Sequence, residues 1–418
     1  MAQLSDDCFA FGGQLMSGAA ALDLLCRKVV ALPDAETVPL GAGLGRFLAA
    51  AIVAPRAVPP HDNSAVDGYA VFHADLRPDG ETILPIGGRA AAGHPLGRAA
   101  RRGEAIRIFT GARMPDGPDT VMMQEDCVAA DGQVRLRAGI KPGANRRRAG
   151  EDVAAGAVVI PVGRRLRAQE LGLAASLGLA ALTVYRRLRV AILSTGDELG
   201  EPGGALPADG IYDANRHTIA ALLHGLGCRV TDLGIQPDRP AELHDALAAA
   251  AAGHDLVISS GGMSTGEEDH VRAAVEAQGS LHFWRLAIKP GRPVALGQIG
   301  RVPFMGLPGN PVAVMVTFLT LARPLILRLA GASDLMPRAY RVRAGFDYRK
   351  KPERREYIRA RLEADGTGGW IARKFPRDGA GILSSMVDSD GLVVLDEGLT
   401  RLENGGEVDF LPFREVLD

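Results

Sequence analysis

The sequence has little cysteine, few aromatic residues and almost no excess of charge of either sign. Its four cysteines, Cys8, Cys26, Cys127 and Cys228, lie far apart and form no C-x-x-C pair. This spacing is unlike a disulfide framework or a zinc cluster, and it predicts reduced thiols in a cytoplasmic protein. The chain carries 48 basic and 49 acidic residues, a formal net charge of -1. Such a balance argues against a protein dedicated to binding nucleic acid.

Long apolar runs and a basic leader segment are also missing. The longest strongly apolar run, Val312–Ala322, spans 11 residues. A membrane-spanning helix needs about 20 such residues. The first basic residue is Arg27, whereas a secretory signal begins with a basic segment. We therefore expect a cytoplasmic protein without a membrane association, in which Val312–Ala322 forms a buried helix.

Hydrophobic periodicity changes along the chain and predicts a multidomain α/β plus β protein in four parts. Residues 1–54 and 150–186 are predicted to form one discontinuous helical linker and dimerisation domain. Between them, 55–149 has short apolar runs and the turn pair Asp131–Gly132, which predicts a β-rich insertion domain containing a hairpin. Residues 187–335 alternate strands and helices, as expected for a three-layer α/β domain with a mostly parallel sheet. Alternating runs over 336–418 predict a C-terminal β-barrel-like domain.

Glycine-rich and acidic loops follow the strands that we predict for the α/β domain. Residues 259–266 join a buried strand to a helix through three glycines and several hydroxyls, a pattern that lets backbone N–H groups converge on a phosphate or carboxylate. Ligands of such sheets bind beyond the carboxyl ends of the strands. Acidic residues lie at the same predicted edge, namely Asp197, Glu198, Asp238 and Asp269. Each alone could simply cap a helix, but together they favour a Mg²⁺–phosphate site, since Mg²⁺ prefers oxygen ligands.

A serine hydrolase is an alternative that the residues leave open. The segment Gly262-Met263-Ser264-Thr265-Gly266 matches the G-x-S-x-G elbow of that class. Its triad would also need a later histidine, and His270 and His282 are close in sequence instead of on a distant loop. Two proline- and glycine-rich turns, 289–293 and 307–311, favour anion binding instead, because the first contains two cations.

Seven segments, taken in order, carry a resemblance to a known family. They are Asn63–Ala70, Ile108–Ala112, Arg147–Asp152, Ser194–Leu199, Ser260–Ser264, Lys289–Gly291 and Leu307–Pro311. As an ordered set they resemble the molybdopterin molybdenumtransferases (molybdenum insertases), relatives of the E domain of gephyrin. The resemblance implies insertion of molybdate into adenylylated molybdopterin with release of AMP, a Mg²⁺-dependent step of molybdenum cofactor biosynthesis. It also implies a homodimer whose cleft lies between the α/β domain of one chain and the β insertion of the other.

The resemblance further implies roles for individual residues. The implied catalytic residues are Asp67, Thr110, Asp152, Glu198, Asp238 and Asp269. Three of these, Glu198, Asp238 and Asp269, are also the implied metal ligands. Those it implies as substrate-binding are Thr195, Gly196, Ser260, Gly261, Gly262, Ser264, Thr265, Lys289, Arg292, Pro308, Gly309, Asn310, Pro311 and Arg354. A molybdopterin adenylyltransferase and molybdoenzyme maturation factors are the implied partners.

The chain departs from the family pattern at Val66, Arg292, Ala313, Ala380 and Asp390. Ala313 and Ala380 lack hydroxyls that the resemblance would place beside the oxyanion. Two other functions stay open. The α/β domain resembles the molybdopterin adenylyltransferases, which share the S-G-G-x-S loop but lack the remaining domains. The second open function is that of a scaffold protein, although a protein that served only as a scaffold would not need all of the acidic residues.

Overall fold

The computed structural model describes residues 15–32, 34–261, 270–291 and 293–417. Residues before the insertion form β1 (Leu15–Met16), α1 (Gly18–Lys28), β2 (Ala35–Pro39) and β3 (Ile52–Val53). The insertion contains β4 (Asn63–Ser64), β5 (Gly68–Val71), β6 (Thr82–Ala90), β7 (Ala105–Ile108), β8 (Thr120–Met123), β9 (Cys127–Ala130), β10 (Gln133–Leu136) and β11 (Arg146–Arg147). After it come β12 (Val158–Ile160), α2 (Ala168–Ser176) and β13 (Ala181–Tyr185).

The second half of the chain continues with the α/β domain and the C-terminal region. The α/β elements are β14 (Arg189–Thr195), β15 (Leu199–Gly200), β16 (Ile211–Tyr212), α3 (Ala214–Gly225), β17 (Arg229–Gln236), α4 (Pro240–Gly253), β18 (Leu256–Ser260), α5 (His270–Glu276), β19 (Gly279–Leu286), β20 (Ile288–Lys289), β21 (Pro293–Ile299), β22 (Val302–Leu307), α6 (Pro311–Thr317) and α7 (Arg323–Leu329). The C-terminal elements are β23 (Tyr340–Ala344), β24 (Tyr348–Arg349), β25 (Arg355–Ala364), β26 (Trp370–Lys374), α8 (Ser384–Val387), β27 (Gly391–Leu395), β28 (Arg401–Leu402), β29 (Glu407–Pro412) and α9 (Arg414–Leu417).

The two chain segments that flank the insertion pair with each other. Strand β2 is antiparallel to β13, and β3 is antiparallel to β12. The connecting layer is therefore discontinuous in sequence, and it combines α2 with these two short ladders. Helix α1 instead packs in the core of the α/β domain, because Ala21 and Leu25 are buried there. The four domain boundaries given above stay a prediction.

The insertion is a β-sheet in which the strand order is β8-β5-β7-β6-β10-β9. The hairpin predicted at Asp131–Gly132 is confirmed, since β9 and β10 pair directly on either side of these two residues. Both turn residues have positive φ, 50° for Asp131 and 76° for Gly132. This is the backbone of a type I′ turn, for which Asp-Gly is a favoured pair.

The α/β domain is a three-layer unit, as predicted. Its strand order is β1-β19-β21-β22-β18-β14-β17, and β22, β18, β14 and β17 run parallel. Alternate residues of β14 point to opposite faces of the sheet. Val190 belongs to the core cluster that includes residues of α1, α3, α6 and α7, and Leu193 belongs to the cluster that includes residues of α4 and α5. The register aligns Ser194 with Ser260 and Ser260 with Leu307. The carboxyl ends of these strands consequently meet at one edge.

The predicted buried helix is longer than its apolar run. It continues from Pro311 through a π-helical turn, Phe318–Ala322, to Leu329. Pro324 has no N–H group, and a π-turn just before it lets the helix continue without the missing hydrogen bond. The helix is long and apolar enough to cross a membrane by composition, but most of it is buried within the protein.

The C-terminal strands close into a barrel, which confirms the prediction for this region. Around the ring the order is β25-β26-β23-β29-β27, and β27 pairs back with β25. Val342, Ile358 and Phe410 are among the residues that fill its core. Strand β20 leaves the α/β domain and joins the barrel by pairing with β25, so that Lys289 lies opposite Glu356. This pairing links the α/β domain directly to the barrel.

Candidate active site

Three parallel strands end side by side at the edge where the sequence predicted a phosphate site. Thr195 and Ser260 close two of them and are 4% and 2% exposed. Gly261 follows with a φ of 84°, and a Cβ atom there would lie 2.7 Å from the carbonyl oxygen of Thr195. Gly196 has a φ of 143°, and its Cβ would lie 2.5 Å from Glu198 Oε2. Glycine is favoured at both positions by the positive φ. At Gly261 the backbone carbonyl of Thr195 also leaves no room for a side chain, whereas the exposed side chain of Glu198 could move away from residue 196.

The hydroxyl of Ser260 is a candidate ligand group at this edge. Its Oγ is buried and has no hydrogen-bond partner within the part of the chain that the structure describes. A buried hydroxyl left without a partner costs about 1–3 kcal/mol. An acceptor oxygen of a bound ligand would remove that cost.

The turn 307–311 lies next to this edge, because Leu307 ends β22 and Pro311 begins α6. Asn215 on α3 donates from its Nδ2 to the carbonyl oxygen of Gly309 at 2.6 Å. The side chain of Asn215 thereby holds the turn in place. Sequence reasoning missed it, since 94 residues separate donor and acceptor.

The predicted acidic ligands differ in exposure. Glu198 is exposed, Asp238 is half-buried, and Asp269 lies outside the described residues. Among the residues that are described, no three of His, Cys, Asp and Glu are grouped closely enough to hold a metal ion. Mg²⁺ commonly takes only one or two carboxylates and completes its shell with water and substrate phosphates. The oxygen donors of Glu198 and Asp238 therefore fit Mg²⁺, although they form no protein-only site.

Asp67 and Thr110, predicted from two separate motifs, are in contact in the insertion. The backbone N–H and the Oγ1 of Thr110 both donate to Asp67 Oδ1, each at 2.8 Å. These two hydrogen bonds, helped by the charge of Arg107, hold the pKa of Asp67 below its ordinary value. Within the described residues of one chain, neither side chain bonds to the sheet edge that contains Thr195 and Ser260. Asp152 is exposed, and its N–H donates to the carbonyl oxygen of Val58 at 3.1 Å.

A second pocket, with several charged residues in its lining, lies where β20 meets the barrel. It encloses about 150 Å³, and Lys289, Arg359, Lys374 and Ala380 are among its lining residues. The family resemblance implied that Ala313 and Ala380 both lie beside the oxyanion. Ala313, however, is 4% exposed in α6 and is not among the residues that line the pocket.

Glu356 and Asp378 are the acidic residues that line this pocket, and Glu356 is the buried one. It is 2% exposed and lies between Lys289 and Arg354, both predicted to bind substrate. Burial raises the pKa of Glu356, but a hydrogen bond from Tyr348 and the two cations outweigh it, so the pKa lies below its usual value. Sequence reasoning missed Glu356 and Tyr348. No pattern marks Glu356, because it directly follows the charged residues Glu353, Arg354 and Arg355.

Five predicted site residues lie outside the described residues: Gly262, Ser264, Thr265, Asp269 and Arg292. The segment 262–266, which matches the serine-hydrolase elbow, also lies outside the described residues.

Family models match most of the chain in order. The model for the MoeA N-terminal region (domain I and II) matches residues 16–178, a probable molybdopterin-binding domain matches 191–328, and the MoeA C-terminal region (domain IV) matches 341–413. A molybdopterin molybdenumtransferase of Haemophilus influenzae is 40% identical over 384 residues, which cover 91% of this chain and 95% of that protein. The chain belongs to the molybdopterin molybdenumtransferase family.

Other members of the family agree with this assignment. A molybdopterin molybdenumtransferase from a Nostoc species is 34% identical over 397 residues, covering 92% of this chain and 90% of the relative. The crystal structure of a molybdopterin biosynthesis protein from Pyrococcus horikoshii superimposes with a TM-score of 0.82 at 29% identity, covering 96% of this chain and all of the other. The family models also extend well before and after the molybdopterin-binding domain, which argues against a stand-alone adenylyltransferase.

Proposed function

We propose that this chain inserts molybdate into adenylylated molybdopterin, releases AMP and so forms molybdenum cofactor. The observation that carries the proposal is the sheet edge at Thr195, Ser260 and Leu307, where two glycines bring the backbone within reach of a ligand. Such an edge suits the phosphates of an adenylylated substrate. Membership of the family supports the same reaction, since its curated relatives are named for molybdenum transfer.

The phosphate end of the substrate would bind at this edge. The hydroxyls of Thr195 and Ser260 are suited to donate to phosphate oxygens, and the backbone around Gly196, Gly261 and the turn 308–310 would approach them closely. Glu198 and Asp238 would hold Mg²⁺, with Asp269 as a third ligand from outside the described residues. Bound there, Mg²⁺ would neutralise the charge that develops as the phosphoanhydride is cleaved.

The molybdate end would bind in the pocket between β20 and the barrel. Lys289 provides positive charge in the lining of this pocket. Arg354 is not itself a lining residue but pairs with Glu356, which is one, and we place Arg354 and Arg292 beside the oxyanion as the second and third cations. An arginine offers a planar pair of N–H donors to an oxyanion, whereas lysine offers a point charge. The pocket of about 150 Å³ suits a small oxyanion better than a nucleotide.

We further propose that the active unit is a cytoplasmic homodimer with shared sites. Asp67 and Thr110 form a preorganised pair that makes no hydrogen bond to the sheet edge of its own chain among the described residues. The insertion of a second chain, with Asp152 near its base, would bring this pair to the edge. A molybdopterin adenylyltransferase would supply the substrate, and molybdoenzyme maturation factors would receive the product.

The test is to incubate the purified chain with adenylylated molybdopterin, Mg²⁺ and molybdate, and to measure AMP together with cofactor that activates an apo-molybdoenzyme. Asp238→Asn should lower AMP release by about tenfold or more, because a removed metal ligand costs transition-state stabilisation. Asp245→Asn is the matched control, since that carboxylate is 86% exposed on the neighbouring helix. Wild-type chain that forms neither product would refute the proposal, whereas pyrophosphate release from ATP and molybdopterin would favour an adenylyltransferase.

A further inference from the structure

The carboxylate of Glu356 is the point at which the α/β domain and the barrel share a charge network. Its Oε2 accepts from Lys289 Nζ at 3.3 Å and from the hydroxyl of Tyr348 at 2.8 Å. Its Oε1 accepts from Arg354 Nε at 2.8 Å. Lys289 belongs to β20 of the α/β domain, while the other two donors belong to the C-terminal region. One buried carboxylate is therefore bonded to three donors from two parts of the fold.

The geometry leaves the cations able to bind a further anion. Arg354 uses its Nε for Glu356, and within the described residues its terminal Nη atoms make no hydrogen bond to protein. A guanidinium has five N–H donors, so the Nη groups remain for a ligand. Lys289 is 47% exposed at its side chain and carries a positive charge that Glu356, shared with Arg354, balances only in part.

We infer that Glu356 is a positioning residue that fixes Lys289 and Arg354 in one orientation toward the bound oxyanion. This inference rests on the proposed function, because that function makes an oxyanion the ligand of the pocket. Burial and the hydrogen bond to Glu356 raise the pKa of Tyr348, which therefore stays a protonated donor to the carboxylate. The carboxylate and its donors form a fixed set in which each group depends on the others.

A purely structural role explains these contacts less well. The α/β domain and the barrel are already joined by the β20–β25 ladder, and the Arg355 N–H donates to the carbonyl oxygen of Ala287 at 2.8 Å. Tyr357 and Leu411 of the barrel region also pack in the core cluster of the α/β domain. The junction is thus held without Glu356, and a buried charge would be a costly way to reinforce it.

Two effects of removing the charge oppose each other. Glu356→Gln makes the pocket more positive, and charge alone would then tighten the binding of an anion. The glutamine amide, however, keeps only one acceptor oxygen. Lys289 and Arg354 bond to different oxygens of Glu356, so one of the two cations would face an N–H group and lose its orientation. We expect loss of orientation to dominate, because three hydrogen bonds to a group that is 2% exposed depend on the carboxylate.

The experiment is a calorimetric titration of the intact protein with molybdate, followed by steady-state kinetics. In Glu356→Gln the dissociation constant and the KM for molybdate should rise about tenfold, as expected for one lost hydrogen bond to a charged group. The kcat at saturating molybdate should change much less. Glu397→Gln removes the same charge from the same barrel region, where Glu397 pairs with Arg355 instead, and should leave the affinity unchanged.

Unchanged or tighter binding of molybdate by Glu356→Gln would overturn the inference, as would an equal loss in Glu397→Gln. If Glu356→Gln does not fold, Tyr348→Phe removes one donor without a charge change and should still weaken molybdate binding measurably; no change there would also overturn it. Wild-type protein that binds molybdate but releases no AMP would refute the proposed function alone. Wild-type protein that binds no molybdate would refute the anion pocket and the role of Glu356 with it.

Discussion

Restoring a hydroxyl at position 380 should tighten the binding of molybdate. Ala380 lines the pocket that also contains Lys289, and its carbonyl oxygen accepts from the Val312 N–H at 2.9 Å. This bond to the first turn of α6 fixes the backbone of the residue. A serine at position 380 would therefore present its hydroxyl to the pocket from a backbone that is already in place.

The size of the effect follows from the energy of a hydrogen bond to a charged group, about 1.5–3 kcal/mol. A free energy of about 1.4 kcal/mol corresponds to a tenfold change in affinity. The new hydroxyl must also give up hydration and rotamer freedom, so the lower end of this range applies. We expect Ala380→Ser to lower the dissociation constant for molybdate by about tenfold.

Ala313→Ser is the matched control, because the family resemblance implied the same place beside the oxyanion for both alanines. Ala313 is buried in α6 at 4% exposure, and a serine hydroxyl in a helix commonly bonds to a carbonyl oxygen of the preceding turn. Calorimetric titration should therefore show an unchanged affinity for Ala313→Ser. An unchanged affinity for Ala380→Ser, or equal tightening in both variants, would refute the assignment of the pocket.

Three further predictions concern other parts of the fold. Gly261→Ala should strongly reduce AMP release. An alanine with a φ of 84°, whose Cβ atom lies 2.7 Å from the carbonyl oxygen of Thr195, would add about 1–3 kcal/mol of strain at the end of β18. Normal activity of this variant would exclude the close approach. Chains carrying Asp67→Ala and chains carrying Glu198→Ala should each be inactive alone but active when mixed, because each heterodimer would contain one intact site. If tagged chains form heterodimers and these are inactive, the shared site is ruled out. Hydrogen bonds from Arg167 and then Arg164 lower the pKa of Glu170 from 4.5 to about 2, so this carboxylate stabilises the fold above pH 4.5 and loses its effect as the pH falls toward 2. The difference in unfolding temperature between wild type and Glu170→Gln should shrink over that range, and a difference independent of pH would contradict it.

Features set by short-range patterns were predictable from the sequence. The hairpin at Asp131–Gly132 follows from two adjacent residues that tolerate positive φ. The sheet edge follows from the rule that parallel strands present their carboxyl ends together, which places Thr195 and Ser260 side by side. Both inferences need only the local order of strands, loops and helices.

Contacts between distant segments were not predictable by pattern alone. Asn215 and Gly309 are 94 residues apart, and Lys289 and Glu356 are 67 apart. Each pair depends on how separate elements pack, and no periodicity in either segment specifies its partner. The family resemblance implied that Asp67 and Thr110 belong to one site, but their direct hydrogen bond, across 43 residues of sequence, came from the structure.

The start of α6 connects the two proposed halves of the site. Pro308 follows Leu307 at the sheet edge proposed for phosphate. Four residues later the Val312 N–H donates to the carbonyl oxygen of Ala380, which lines the pocket proposed for the oxyanion. Four residues of fully extended chain span at most about 14 Å. The two regions therefore lie close enough for one elongated substrate to reach both, with its phosphates at the edge and its metal-accepting end in the pocket. A reaction that joins molybdate to an adenylylated compound requires that proximity, because entry of the oxyanion and departure of AMP occur on the same molecule.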